Sequence, residues 1–417
     1  MIPTRIAGTG LSVILSIMMI GAGSIPAAGQ ISGSTILGAY RNSIPTAVPF
    51  LLIAPDARSS ALGDGGVASS PDVHSQHWNV ARYSLTDDRA GFAFTYAPWL
   101  TNLLPDISHF YTSGFYRLGE LQALSGSVRY FTTGTILFAG LAAGLNTLFQ
   151  PREYAFDAGY SRRFSDHLSG GIALRYIYSR LSPPVASSTG DFSQPGTTIA
   201  GDLGLYYRKE LSLVGKTGEW ALGMLISNMG PTVQYAQGID SHPLPTNLRL
   251  GGRMTLNLGE NSRLSFLTDL NKLMAPTPPV VKADSASGEL IIVRGKPAPE
   301  SWIGGTVRSF WDAPGIQQND GSYSVSGEEL REISWSFGAE LMYREWLVIR
   351  AGHFREHASK GNRKLFSFGL GTRLGILAID VSYLLPTNGQ NSPLSNTFRF
   401  TLGMEMGDLR DTGQRLL

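Results

Sequence analysis

The sequence predicts an all-β protein: a 14-stranded antiparallel transmembrane β-barrel with an N-terminal plug segment. Three observations point there. After about residue 88 the 417-residue chain breaks into segments of roughly ten residues with period-two alternation. The gaps between them are alternately long and short, as in outer-membrane barrels with short periplasmic turns and long outer loops. No run beyond the N-terminus is apolar for long enough to make a spanning helix.

The segments lie at about 89–98, 109–118, 121–132, 153–163, 168–181, 197–208, 219–228, 246–258, 262–272, 333–343, 346–356, 363–373, 376–385 and 397–406. The last is the clearest. Phe398, Phe400, Leu402, Met404 and Met406 alternate with Arg399, Thr401, Gly403 and Glu405, so one face suits lipid and the other a polar lumen. The number of segments is even, as single-chain bacterial barrels require. A lumen lined by Arg129, Arg175, Arg249, Arg253, Arg373, Arg399, Glu340, Asp380 and Glu405 is expected, and charges taken out of water there need partners. WIGGTVR, Trp302 to Arg308, reads as a further strand piece inside the long fifth loop, and the stretch between residues 208 and 219 as a periplasmic turn.

Residues 1–29 read as a signal peptide: Arg5, an apolar core from Leu11 to Ile20, and small residues before Gln30. Residues 30–88 form an N-terminal extension and plug, since 44–88 do not alternate and are dense in Pro, Gly, Asp and Ser. The barrel spans 89–406, its long outer loop 273–332, and a tail follows at 407–417. Charged residues make up only 16% of the chain, and 49 are glycine, which suits a sheet with one lipid face. The net charge of +2 is dispersed, so no nucleic-acid partner is expected, and there is no cysteine.

No nucleophile elbow, H-E-x-x-H motif or P-loop occurs, so neither catalysis nor a cofactor is expected. VGKTGE has the GKT letters without the glycine that a P-loop needs. His74 and His77, near Asp72, have helical spacing but no further ligands close by, which favours hydrogen bonds within the plug over a metal. Asp56, Arg58, Asp64, His77 and Trp78 are expected to make plug-to-lumen contacts. The loop 273–332 is too long for a mere connection, and its Trp302, Phe310, Trp311 and Tyr323 are aromatics of the kind that anchor interfaces; inward folding or a place in the aromatic girdle are the competing readings.

The blocks AVPFLLIAPDAR (Ala47 to Arg58), GDGGVASSPDVHSQHWN (Gly63 to Asn79), YAPWLTNLLPDI (Tyr96 to Ile107), KGNRKLFSFGLG and NSPLSNTFRFTLGMEM resemble the PorV family of type IX secretion outer-membrane proteins, across about residues 40–406. That family is similar to the fatty-acid-channel type of fourteen-stranded barrel. The resemblance implies a non-catalytic outer-membrane component that binds the C-terminal signal domain of exported cargo at the large translocon and shuttles it to the attachment complex containing the PorU sortase. The alternative is a channel for hydrophobic small molecules, against which the polar lumen face counts.

Overall fold

The computed structural model describes residues 42–98, 106–139, 146–183, 193–213, 215–235, 241–284, 290–387 and 397–407. The segments read as signal peptide and C-terminal tail lie outside these, apart from Gly407. Fourteen strands close into one barrel: β1 (Ala90–Pro98), β2 (Ser108–Arg117), β3 (Gln122–Thr132), β4 (Arg152–Arg163), β5 (Leu168–Arg180), β6 (Gly196–Leu213), β7 (Lys216–Met229), β8 (Asn247–Asn257), β9 (Ser262–Leu273), β10 (Ile333–Tyr343), β11 (Leu347–Arg355), β12 (Lys364–Leu374), β13 (Leu377–Pro386) and β14 (Thr397–Met406). Each pairs antiparallel with its neighbour. The ring closes where β1 meets β14, Phe94 opposite Leu402. A closed ring satisfies every strand edge, the condition for backbone to cross hydrocarbon.

The alternation has a direct physical expression. Along β14, Phe398, Phe400, Leu402 and Met404 are exposed on the outer wall while Arg399 and Thr401 are buried inside. Aromatic contacts run round the outer face toward one end, Tyr96–Phe110 at 5.1 Å and Tyr154–Tyr178 at 4.6 Å between ring centres. Tyr207–Trp220 marks the other end at 5.2 Å. Such girdles sit at the two headgroup levels. Connections after odd-numbered strands are long and those after even-numbered strands are tight turns, the pattern of outer-membrane barrels, whose long connections lie on the outer side.

Two expectations are corrected. The segment 208–219 is not a turn. β6 and β7 pair as far as Leu213 opposite Lys216, and the hairpin closes at Gly215, whose φ of +72° suits glycine. The run of three charges Arg208, Lys209 and Glu210 interrupts the alternation in the sequence, while the backbone ladder continues regardless. WIGGTVR is a helix: Ser301 caps it by accepting a hydrogen bond from the Gly304 N–H at 3.1 Å, and the cap outweighs the strand preference of Trp302, Ile303 and Val307.

Residues 42–88 fill the lumen with short helical turns, Pro49–Leu52, α1 (Ala57–Ala61), α2 (Ser75–Trp78) and Val80–Leu85. The plug and wall approach backbone to backbone. A Cβ at Gly352 of β11 would overlap Leu62 and Gly63, and one at Gly223 of β7 would overlap Val67. Thr401 is accordingly not a spare lumen position: its hydroxyl accepts the Ala57 N–H at 3.0 Å and meets Thr95 Oγ1 at 2.7 Å.

The lipid face is the simplest part of this architecture to test. Leu402→Arg, at a lipid-facing site, should cost about 2–4 kcal/mol and reduce the heat-modifiable, folded band on gels, whereas Leu402→Phe should assemble normally. Equal assembly of both variants would place Leu402 away from lipid.

Candidate functional site: the plug lock and the outer rim

The plug is held to the wall by a chain of alternating charges. Arg82 meets Asp72 at 2.6 Å, Asp72 meets Arg58 at 2.8 Å, and Arg58 reaches Glu340 of β10 at 3.0 Å. Glu340 meets Arg350 of β11 at 2.6 Å, Arg350 meets Asp380 of β13 at 2.6 Å, and Asp380 meets Arg373 of β12 at 3.1 Å. All but Arg373 are buried. Each ion has an opposite neighbour, the arrangement that makes desolvated charge tolerable. A second lock is Asp269 of β9, whose carboxylate accepts the backbone N–H of Gly66 at 2.6 Å and of Val67 at 2.9 Å.

The other residues singled out in the plug have separate places. Asp56 caps α1 through the Ser59 N–H at 2.8 Å and accepts the Trp78 indole N–H at 2.6 Å. The Trp78 ring lies under the Arg249 guanidinium, 4.8 Å from its centre. His77 Nδ1 faces Arg129 at 2.8 Å and its Nε2 faces Arg249 at 3.4 Å. Arginines at both ring nitrogens make His77 a poor cation ligand, and among the described residues no group of three or more His, Cys, Asp or Glu could hold a metal. Asp64 has a φ of +55°, and its Oδ1 makes no hydrogen bond among the described residues. It lines a cavity of about 290 Å³ at the outer mouth, walled by Ile44, Leu52, Leu273, Leu365 and Leu384 with Glu356 and Arg363. A smaller pocket that shares Leu52, Asp64 and Leu273 with that cavity is also lined by Trp78 and Arg249.

The long outer loop is a folded unit. It contains a hairpin of Val280–Ala283 with Leu290–Arg294, helix α3 (Trp302–Arg308), a second hairpin of Ile316–Gln317 with Tyr323–Ser324, and helix α4 (Val325–Arg331). α4 is pinned to the rim. Lys272, at the end of β9, meets Glu329 at 2.8 Å and Glu332 at 2.6 Å. Lys360, in the 356–363 connection, meets Glu328 at 2.7 Å and Glu332 at 2.9 Å. Thr277 donates to Glu332 at 2.8 Å, and the Ala313 N–H to Glu329 at 3.0 Å.

Above this clamp the aromatics face outward. Phe310 is 40% exposed, Trp311 50% and Tyr323 45%, while Trp302 is half-buried at the start of α3. The Arg294 guanidinium sits 3.8 Å over the Tyr323 ring and Lys296 5.7 Å over Trp311. Val281, Ile291, Ile292, Val293, Ile303 and Val307 are also exposed. Sequence reasoning passed over Asp269, Arg350, Lys272, Lys360 and the three glutamates of the clamp. Asp269 and Arg350 carried one usable signal, a charge on the inward face of an alternating strand.

The clamp includes a pH-sensitive member. Burial pushes the Asp312 carboxyl up to about 6, with Glu329 and Glu332 adding to the rise and the Thr277 N–H opposing it. A folded-state value above the ordinary carboxylate value means the docked loop holds this proton more tightly than the released loop. The contribution of Asp312 to docking is therefore fullest below about 4 and is lost as pH rises through about 6. Glu332 moves oppositely, because Lys272 and Lys360 outweigh the effect of burial and lower it, so it matters only at more acid pH. Asp312→Asn should slow proteolysis of the loop relative to the parent at pH 7.5 and leave the two equal at pH 4. A constant difference across that range would remove Asp312 from the docking equilibrium.

The family model described as type IX secretion system protein PorV matches residues 38–280. No curated protein matches the chain. Similar solved structures include the Ralstonia pickettii toluene transporter TbuX, 13% identical over 84% of this chain and 98% of that one with a TM-score of 0.43. The Pseudomonas putida toluene transporter TodX is 10% identical over 84% and 98%, TM-score 0.46, and a Pseudomonas aeruginosa FadL homologue 11% over 88% and 99%, TM-score 0.42. With the family match covering more than half of its length, this outer-membrane barrel belongs to the PorV family of type IX secretion proteins.

Proposed function

We propose that this protein is a non-catalytic carrier in type IX secretion: it binds the C-terminal signal domain of cargo as it leaves the large outer-membrane translocon and passes it to the PorU-containing attachment complex at the cell surface. Family membership supports the secretion role. The observation that carries the binding role is the outer loop, a clamped unit that turns Phe310, Trp311, Tyr323 and a set of aliphatic side chains toward solvent above the rim. An exposed apolar and aromatic surface on a rigid support suits docking of a folded partner. Arg294 and Lys296, stacked over Tyr323 and Trp311, give the same surface a cationic character.

A conduit for small hydrophobic molecules would need a path through the lumen. The pocket adjoining the outer cavity is lined by Trp78 and Arg249, and the plug is tied to the wall by the Arg58–Glu340 ion pair and by the Asp269 carboxylate on the Gly66 and Val67 N–H groups.

Replacing Trp302 and Trp311 by alanine should leave a heat-modifiable barrel in the outer membrane while weakening co-purification with cargo or translocon. Loss of one anchor worth about 2 kcal/mol corresponds to roughly a 30-fold fall in affinity. Normal partner recovery with an intact barrel would take this loop out of the mechanism, and loop-dependent uptake of long-chain lipids would favour the channel reading.

A further inference from the structure

The start of the plug is anchored on the outer side. The Asn42 N–H donates to the Ser359 carbonyl at 2.9 Å, and its side-chain amide donates to Glu328 and to the Pro278 carbonyl, both at 3.2 Å. The Ala47 N–H donates to the Pro243 carbonyl at 2.9 Å. Ser359, Glu328, Pro278 and Pro243 all belong to connections that follow odd-numbered strands. The far end of the plug lies at the opposite rim, where the Arg89 N–H donates to the Met406 carbonyl at 2.8 Å and the Arg117 N–H to the Arg89 carbonyl at 2.8 Å. Residues 42–89 therefore cross the whole height of the barrel.

The route back down is closed. Val48, Phe50 and Leu51 pack against Ala155, Ile177, Ala200, Val233 and Leu244 across the mouth. Val48 does so at a φ of +45°, a left-handed conformation that a β-branched residue adopts only where its surroundings enforce it. Residues 42–47 form a strap at the outer mouth, tied to the long loop, to the 356–363 connection and to the connection after β7.

We propose that residues 42–89 are threaded outward through the barrel, so that Asn42 lies on the cell-surface side and the strap forms one face with the long loop and the 356–363 connection. A protein docking on the long loop then meets the strap as well, and any partner recognising that face reads part of the amino-terminal segment. Threading also sets an order of assembly, since the plug must be inside before β1 pairs with β14. The inference stands on hydrogen bonds and packing, and does not depend on the partner proposed above.

The absence of cysteine makes the test clean. Ser43, at the outer end, and Asp87, at the other, are both exposed. Single cysteines at Ser43→Cys and Asp87→Cys would be treated with an impermeant maleimide on intact cells and after outer-membrane permeabilisation, with Ser322→Cys and Asn261→Cys marking the long-loop and short-turn sides. Ser43→Cys should label on intact cells to the same extent as Ser322→Cys, and Asp87→Cys only after permeabilisation, like Asn261→Cys. Ser43→Cys tracking Asn261→Cys would overturn the proposal whichever way the barrel faces. A heat-modifiable band for each variant confirms that the labelled species is the folded barrel.

Discussion

Everything above the periplasmic turns depends on keeping charge paired inside a wall that faces lipid. Arg58 is the pivot. Its guanidinium joins Asp72 within the plug to Glu340 on the wall, and through Glu340 it is linked to Arg350, Asp380 and Arg373 on three further strands. Pulling the plug out would break the Arg58–Glu340 pair and take from the Asp269 carboxylate its two plug N–H donors, and uncompensated buried charge of this kind costs several kcal/mol. The backbone contacts at Gly223 and Gly352 add a steric component, because the wall has been stripped of side chains where the plug lies against it.

A filled, locked lumen gives the outer rim a rigid base, and the rim repeats the same physics. Lys272 and Lys360 hold Glu328, Glu329 and Glu332, so a connection long enough to be loose is fixed at both its last helix and its first turn. The apolar side chains that this unit leaves exposed form the surface proposed above for docking. The order of events is physical: paired charge fixes the plug, the plug closes the lumen, and the strap and clamp then present a defined surface.

The barrel was legible in the sequence because every strand has to satisfy two solvents at once. Phe398, Phe400 and Leu402 against Arg399 and Thr401 can be read without any knowledge of neighbours. Legibility failed where that constraint lapses. Near the tip of the β6–β7 hairpin the charge run Arg208–Glu210 breaks the pattern while the ladder continues; WIGGTVR carries strand-forming residues but obeys the cap at Ser301. Pairings were also hidden, since Arg58 and Glu340 are 282 positions apart and only the register of β10 brings them together. Lys272, Lys360 and the Glu328–Glu332 stretch each look like ordinary loop charge in one dimension, and their clamp exists only once the strands have closed.

The most direct measurement of the central claim is native-state hydrogen exchange of the intact protein in detergent micelles, following the plug amides from Ala57 to Leu85 beside those of the barrel strands. A plug locked by paired charge should exchange on the same slow timescale as the wall, opening only when the barrel does. Rapid exchange of the plug amides while the strand amides stay protected would show a plug that opens independently, and would contradict a sealed, load-carrying lumen.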